Sequence, residues 1–329
     1  MMRDQYKNYF YVTIFASLTV TLLYCMAVYR WWPWIDTENC WIDDCMVRKE
    51  MLARGIGDRP KIVFGGGSGT FCGVRAEDVQ KAFGIPTVNM ALNAGLEIDY
   101  ILSRLKGVLR KGDVVILPLE YEHFVYADKS SSYKISFVAS CDREYFLGLP
   151  WRSRAKYVFS LIGFNRVFEA LARKRPPRNA RGTENCRAAF NQNGDLTSNV
   201  GKAAKFEPVG PLPLQQGGFT ETYGLASIKD FSRWCRAKGI RCYVTYANSV
   251  RLKDYGDERY HTYFESLQNY FIKNDMAFIG TPYDFFFPLE LFYDTGYHLN
   301  KDGVTLRTEQ LIVMMRKMNI VPGPQRRFH

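Results

Sequence analysis

Residues 61–73 read KIVFGGGSGTFCG, an apolar run that passes directly into a glycine-rich turn. A short apolar run closed by glycines is typical of a buried β-strand that ends in a tight turn. Residues 76–83, AEDVQKAF, follow with apolar side chains at helical spacing. The order of strand, glycine turn and helix predicts the first unit of an α/β sheet.

The same alternation continues along the chain. Further strands are predicted at residues 87–92, 113–120, 241–247 and 276–280, and helices at 98–112, 225–239, 257–275 and about 303–318. Strands that are apolar on both faces and alternate with helices indicate a parallel sheet covered on each side. The predicted fold is therefore a flavodoxin-like, doubly wound α/β domain with a five-stranded parallel sheet. Ligands of such sheets bind outside the carboxyl ends of the strands.

Residues 121 to about 220 interrupt this pattern, and we interpret them as an inserted, mainly helical or irregular segment. Residues 151–181 within it carry nine Lys/Arg against one Glu. The helical apolar stripe over 157–174 would either lie on an anionic membrane surface or pack on the domain. The whole chain has a formal charge of +11, which fits an anionic partner. The charge alone does not tell lipid headgroups, an acidic polymer and nucleic acid apart.

Residues 9–29, YFYVTIFASLTVTLLYCMAVY, contain no charge and are long enough to cross a bilayer as a helix. Aromatic residues at both ends resemble an interfacial belt. A transmembrane anchor is favoured over a cleavable signal peptide, whose small-residue cleavage site is missing, and over a buried core helix. Arg3 and Lys7 favour a cytoplasmic N-terminus, although only by a small margin.

These features divide the chain into five parts. They are a short cytoplasmic tail (1–8), a transmembrane anchor (9–29), a linker (30–58), the α/β domain with its insertion (59–320) and a tail (321–329). The predicted location is a single-pass protein of the inner (cytoplasmic) membrane, with its domain on the periplasmic side. Cys40, Cys45, Cys141 and Cys186 would there be able to form disulfides, the alternative being free buried thiols.

The glycine-rich turn is compatible with three kinds of site. A dinucleotide fingerprint would need glycine where Thr70 or Cys72 stands, and a P-loop would need a following Gly-Lys-Ser/Thr. The remaining interpretation is a nucleophilic Ser68, with backbone amides of the turn stabilising an oxyanion. Without CxxC pairs or clustered ligands, no metal or dissociable cofactor is predicted.

A serine nucleophile needs a base, and the chain has four histidines. His298 lies in FYDTGYHLNKDG (292–303), between the last strand and the last helix, and is expected at the same sheet edge as Ser68. Asp294 could accept a hydrogen bond from His298 Nδ1–H while Nε2 faces the serine. His123 is the rival base, and a helix-capping Ser68 with a structural Asp294–His298 pair is the non-catalytic alternative.

The segments VFGGGSGTFCG, NMALNAG and DTGYHLNKDG together resemble the sequence blocks of the SGNH (GDSL-like) hydrolase superfamily. More narrowly, they resemble its membrane-anchored members in alginate O-acetylation and in teichoic acid D-alanyl transfer. The resemblance covers roughly residues 60–125 and 225–318. It implies that Ser68 is the nucleophile, His298 the base, Asp294 its orienter and Gly95 an oxyanion-hole amide.

Two departures accompany the resemblance. The family spacing is Asp-x-x-His, whereas here three residues separate Asp294 from His298. The family's Gly-x-Asn-Asp block is also missing, and Glu120 stands near the expected oxyanion-hole asparagine, for which Asn93 is a substitute.

The resemblance implies an O-acyltransferase, most often of acetyl groups, that modifies an extracytoplasmic polysaccharide together with a membrane-bound O-acyltransferase partner. An esterase with the same triad and a non-catalytic assembly subunit stay open as alternatives. Nucleic-acid binding is not expected, because an exported, membrane-anchored domain meets no such partner.

Overall fold

The computed structural model describes residues 2–31, 40–127, 130–161, 190–198, 210–215 and 217–320. The chain forms two compact units, one of residues 1–43 and 131–182 and the other of residues 44–130 and 183–329. Most of the predicted helix 157–174, together with Cys186 and the C-terminal tail, lies outside the described residues.

The described helices are α1 (Met2–Trp31), α2 (Cys40–Gly55), α3 (Ser68–Phe71), α4 (Ala76–Phe83), α5 (Ile98–Lys106), α6 (Tyr121–Val125), α7 (Ser132–Ser140), α8 (Arg143–Gly148), α9 (Trp151–Leu161), α10 (Tyr223–Ala237), α11 (Glu258–Lys273) and α12 (Lys301–Lys317). The strands are β1 (Ile62–Phe64), β2 (Thr87–Asn89), β3 (Val114–Leu119), β4 (Arg241–Tyr246), β5 (Ser249–Val250), β6 (Ala277–Phe278) and β7 (Phe286–Phe287).

Five strands form one parallel sheet in the order β2-β1-β3-β4-β6. This confirms the predicted α/β class and the five-stranded parallel sheet. β5 and β7 form a separate two-stranded parallel sheet, which the sequence pattern did not predict. Because β1 lies between β2 and β3, the segments that follow these three strands lie side by side at one edge.

Helices cover both faces of the large sheet. Val63, Val115 and Leu117 belong to one apolar cluster, which includes residues of α5, α10 and α11. The alternate residues Ile62 and Ile116 belong to a second cluster with residues of α4 and α12. Because these strands are buried on both faces, their sequences are continuous apolar runs and do not alternate between apolar and polar residues.

Residues 190–196 cover the free edge of β2. The Asn193 carbonyl accepts from Asn89 N at 2.7 Å, and Asn193 Nδ2 donates to the Thr87 carbonyl at 2.8 Å. The Asp195 carboxylate accepts from the amides of Ala76 and Glu77 at 2.6 and 2.9 Å, and so caps the N-terminus of α4. A segment of the predicted insertion therefore protects a sheet edge from pairing with other chains.

The unit of residues 1–43 and 131–182 contains the apolar helix α1. Its segment Gln5–Ala27 has a mean hydropathy of 1.8, is not buried, and is long and apolar enough to cross a membrane. A disulfide joins Cys40 to Cys141, with Cα atoms 5.2 Å apart. Cys45 is also disulfide-bonded, so the alternative of free thiols is wrong for these three cysteines.

Lys49 of α2 is fully buried next to the sheet. Its ammonium donates to the Ala91 carbonyl at 2.6 Å and lies 3.9 Å from the centre of the Phe71 ring. Burial lowers the pKa of Lys49 to about 7, although the nearby Asp195 and Cys72 act in the opposite direction. Folding therefore favours release of the proton that this lysine holds in the unfolded chain.

We expect the unfolding free energy to rise with pH between about 7 and 10 because of Lys49. In this range the unfolded chain binds the proton and the folded chain does not, which corresponds to about 1 kcal/mol per pH unit. Chemical unfolding of the full chain in detergent at several pH values measures this slope. Lys49→Met should flatten it and the exposed Lys317→Met should not; equal slopes in the wild type and Lys49→Met would contradict the assignment.

Candidate active site

The glycine-rich turn leads from β1 to Ser68, the first residue of α3. A side chain at position 67 would have its Cβ 2.5 Å from Ala94 Cβ and would also overlap Glu120 Oε1. Gly67 is thus enclosed between the segment that follows β2 and the residue that follows β3. The glycine is required here by the close approach of neighbouring chain segments.

Glu120 is 1% exposed and binds the backbone on both sides of Ser68. Its Oε1 accepts from Gly69 N at 2.7 Å, and its Oε2 accepts from Gly67 N at 3.2 Å. The Nδ1 atom of the buried His123 lies 3.4 Å from Oε2. The sequence pattern predicted Glu120 near the expected oxyanion-hole asparagine; in the structure its carboxylate binds the amides that flank Ser68 and so supports the turn that carries it.

Ser68 is partly exposed at the carboxyl edge of the sheet. Within the described residues, neither its hydroxyl nor its backbone N–H makes a hydrogen bond. Glu120 accepts hydrogen bonds from the amides of Gly67 and Gly69 but not from the amide of Ser68. This amide is therefore available to an incoming oxyanion, as the sequence hypothesis requires.

His298 and Asp294 form a close pair, with Nδ1 2.7 Å from Oδ1. The two residues lie in a loop closed by an antiparallel bridge between Phe292 and Leu299, where Tyr293 N donates to the His298 carbonyl at 2.8 Å. This closure brings the carboxylate and the imidazole together despite the extra residue between them. With Nδ1 bound to Asp294, Nε2 is the nitrogen left for a substrate or for Ser68.

Tyr297 holds this loop against the serine turn. A Cβ at Gly69 would lie 3.4 Å from Tyr297 Cβ, so the two segments are in contact. The Tyr297 hydroxyl donates to Glu122 Oε2 at 2.8 Å, and its carbonyl accepts from Asn248 Nδ2 at 2.5 Å. The structure thus places His298 and Ser68 on touching segments, although no hydrogen bond joins the two side chains among the described residues.

Gly95 and Asn93 lie in one short turn after β2. The Gly95 amide donates to Asn93 Oδ1 at 2.8 Å, so the two candidate oxyanion-hole residues bind each other. An oxyanion would have to displace the Asn93 side chain in order to use the Gly95 amide. Sequence reasoning missed the buried Asn89, whose Nδ2 donates to the Val74 carbonyl at 3.1 Å and whose Oδ1 accepts from Ala91 N at 3.1 Å.

Cys72 lies close to the candidate triad and is not a second nucleophile. Burial raises the pKa of Cys72 to about 12, and the carboxylates of Asp294 and Glu120 also raise it, whereas Lys49 lowers it. A thiol with this pKa is protonated at neutral pH and is therefore a weak nucleophile. In the part of the chain that the structure describes, no three His, Cys, Asp or Glu residues are grouped so as to hold a metal ion.

Comparison with protein families and curated proteins assigns no function to this site. No family model matches the chain, and no curated protein matches it.

The role of Glu120 predicts the effect of Glu120→Gln. A glutamine cannot accept hydrogen bonds from both glycine amides, and an unpaired buried donor costs about 2 kcal/mol. We expect the unfolding free energy to fall by about this amount, measured by chemical denaturation of the full chain in detergent. The exposed Glu265 of α11, which lies outside the site, provides a control: Glu265→Gln should have a much smaller effect. Equal losses in the two variants would contradict the role assigned to Glu120.

Proposed function

We propose that this chain is a membrane-anchored, SGNH-like O-acyltransferase that uses Ser68, His298 and Asp294 to modify an extracytoplasmic polysaccharide. The observation that carries the proposal is the Asp294–His298 pair, at 2.7 Å, in a loop that Tyr297 holds against the serine turn. An Asp–His hydrogen bond that only stabilised the loop could lie anywhere on the surface. A histidine that acts as the base for Ser68 must lie beside the serine turn, as His298 does.

The position of the site in the sheet supports the proposal. Counted along the chain, the five strands of the sheet follow the order 2-1-3-4-5, which supports the flavodoxin-like fold that we propose. In this arrangement ligands bind where the strand order reverses, beside the first strand. Ser68 follows β1, Asn93 and Gly95 follow β2, and Glu120 follows β3, so the candidate residues surround this point.

The geometry suggests a two-step reaction. Ser68 Oγ attacks the acyl carbonyl of a donor ester and transfers its proton to His298 Nε2, while the Asp294 carboxylate stabilises the imidazolium. The free Ser68 amide stabilises the oxyanion, and the proton passes to the leaving oxygen as the acyl-enzyme forms. A polysaccharide hydroxyl then attacks the acyl-enzyme, loses its proton to His298, and releases Ser68 with its own proton restored.

The first step needs His298 Nε2 to come within hydrogen-bond distance of Ser68. Catalytic hydrogen bonds are often long before substrate binds and shorten in the complex. The His298 side chain is 21% exposed and Asp294 is its hydrogen-bond partner, while Tyr297 and the loop ends make the contacts that hold the backbone, which leaves the imidazole room to adjust. Substrate binding would then complete the triad.

The N-terminal helix and the cysteines support the proposed location. Disulfides persist mainly in oxidising compartments, and the Cys40–Cys141 bond begins nine residues after α1 ends. We therefore propose a single-pass inner-membrane protein with residues 40–320 on the periplasmic side. There it would receive acyl groups from a membrane-bound O-acyltransferase partner and deliver them to a polysaccharide acceptor.

A non-catalytic assembly subunit is the second candidate. Two observations favour it: the absence of a Ser68–His298 hydrogen bond in the described residues, and the Gly95 amide already occupied by Asn93. An esterase shares every residue of the proposed triad and differs only in using water as the acceptor.

Labelling with a fluorophosphonate tests the nucleophile. The full chain should be modified at Ser68, Ser68→Ala should not be labelled, and Asp294→Asn should react about 10²–10⁴ times more slowly because the imidazolium loses its partner. His298→Ala should also abolish labelling, whereas His261→Ala, a histidine outside the site, should not. A folded wild-type protein without label would favour the assembly subunit.

Acyl transfer itself is tested in cells that carry these variants. Polysaccharide acylation should disappear with Ser68→Ala and persist with His261→Ala, as measured by release of acetate from the purified polymer. Labelling at Ser68 combined with unchanged polymer acylation and rapid hydrolysis of simple esters would identify an esterase instead.

The proposed sidedness predicts which cysteines a membrane-impermeant maleimide reaches in intact cells. Cys141→Ser frees the Cys40 thiol, which should react without permeabilisation because it lies outside the cytoplasm. Asp4→Cys, in the proposed cytoplasmic tail, should react only after permeabilisation. The reverse pattern would invert the proposed topology.

A further inference from the structure

The corner between α8 and α9 presents large apolar side chains to solvent. Leu147, near the end of α8, is 53% exposed, and Trp151, the first residue of α9, is 68% exposed. Pro150 between them is exposed as well. The ring contact that the structure gives Trp151 is with the guanidinium of its neighbour Arg152, 5.5 Å from the ring centre. Leu147 and Trp151 are four residues apart and both are more than half exposed, and exposed apolar side chains grouped in this way are typical of surfaces that meet a partner or a membrane.

The exposed charged residues of this corner are mostly positive. Arg143, Arg152 and Lys156 are exposed, against one exposed carboxylate, that of Glu144. The other acidic residue, Asp142, is 6% exposed and its carboxylate accepts from Tyr145 N at 2.9 Å, which caps α8. The surface around Trp151 therefore has more positive than negative charge, and it fits an anionic partner.

The covalent structure keeps this corner within reach of the membrane. Cys40 lies nine residues beyond Trp31, the last residue of α1, a distance of at most roughly 30 Å for an extended chain. The disulfide holds Cys141 beside Cys40, with Cα atoms 5.2 Å apart. α8 starts two residues after Cys141 and is about 9 Å long. Together these segments keep the corner within roughly 50 Å of the end of the helix that is long and apolar enough to span the bilayer.

We infer that the α8–α9 corner docks on the anionic headgroups of the same bilayer that α1 spans. Tryptophan favours the boundary between headgroups and acyl chains, where Trp151 and Leu147 would insert. Arg143, Arg152 and Lys156 would meet the lipid phosphates. This docking is independent of the proposed chemistry at Ser68, and it gives the unit of residues 1–43 and 131–182 a second attachment to the membrane.

Fluorescence of the full chain in nanodiscs tests the inference. The contribution of Trp151 is obtained as the difference between wild type and Trp151→Phe, first with phosphatidylcholine alone and then with added phosphatidylglycerol. With the anionic lipid, lipids brominated near the headgroup should quench this contribution, and aqueous acrylamide should quench it less. The difference in fluorescence between wild type and Trp234→Phe gives the contribution of Trp234, which is partly buried in α10. The brominated lipid should not quench this contribution.

Charge variants test whether the lipid phosphates hold the corner at the membrane. Arg152→Gln and Lys156→Gln should each lower the ratio of docked to undocked protein about fivefold in anionic nanodiscs. Lys238→Gln and Lys273→Gln, which remove the same charge from exposed positions elsewhere, should leave the ratio unchanged. Quenching of Trp151 by acrylamide but not by brominated lipid would overturn the inference. Protection from both quenchers would also overturn it, and would indicate a protein partner or a second copy of the chain.

Discussion

The carboxylate of Glu120 binds the two amides that flank Ser68, and this interaction joins the ends of two neighbouring strands. A buried carboxylate must receive hydrogen bonds, because transfer of an unpaired charge out of water is very unfavourable. The amides of Gly67 and Gly69 supply them, and a side chain at position 67 would overlap Glu120 Oε1. The glycines, the acid after β3 and the accessible serine are thus consequences of one packing arrangement.

The other half of the site depends on Tyr297. Its Cβ, its hydroxyl and its carbonyl are held by the serine turn, by α6 and by the segment after β4, respectively. At the end of the loop Asn300 caps α12, and its Nδ2 donates to the Glu290 carbonyl at 2.7 Å, which joins the two ends of the loop. The backbone of the loop that carries His298 is therefore held by several chain segments that are distant in sequence. Such a scaffold can present a base to Ser68 while leaving the imidazole itself partly exposed.

The architecture was predictable to a large extent. The five strands of the main sheet were all anticipated, and the helix at 76–83 has the predicted bounds, because its apolar spacing and the αL residue Gly84 after it are local signals. The pair β5–β7 was missed because each strand has only two residues and, unlike the equally short β6, neither directly follows a long predicted helix in the alternation of strands and helices. The function of Glu120 was also missed. An acid directly after a fully apolar strand was the available signal, but its partners lie more than 50 positions away in the chain.

By itself the sequence determined the features that depend on neighbouring residues. These are the alternation of buried strands and helices, the apolar helix near the N-terminus, and the local closeness of Asp294 and His298. Tertiary structure alone decided that Cys40 bonds Cys141, that Lys49 is buried against Phe71, and that Glu120 binds the amides on both sides of Ser68. The first group follows from periodicity and spacing along the backbone. The second follows from strand order and side-chain packing, which determine which distant groups meet and which hydrogen bonds are already taken.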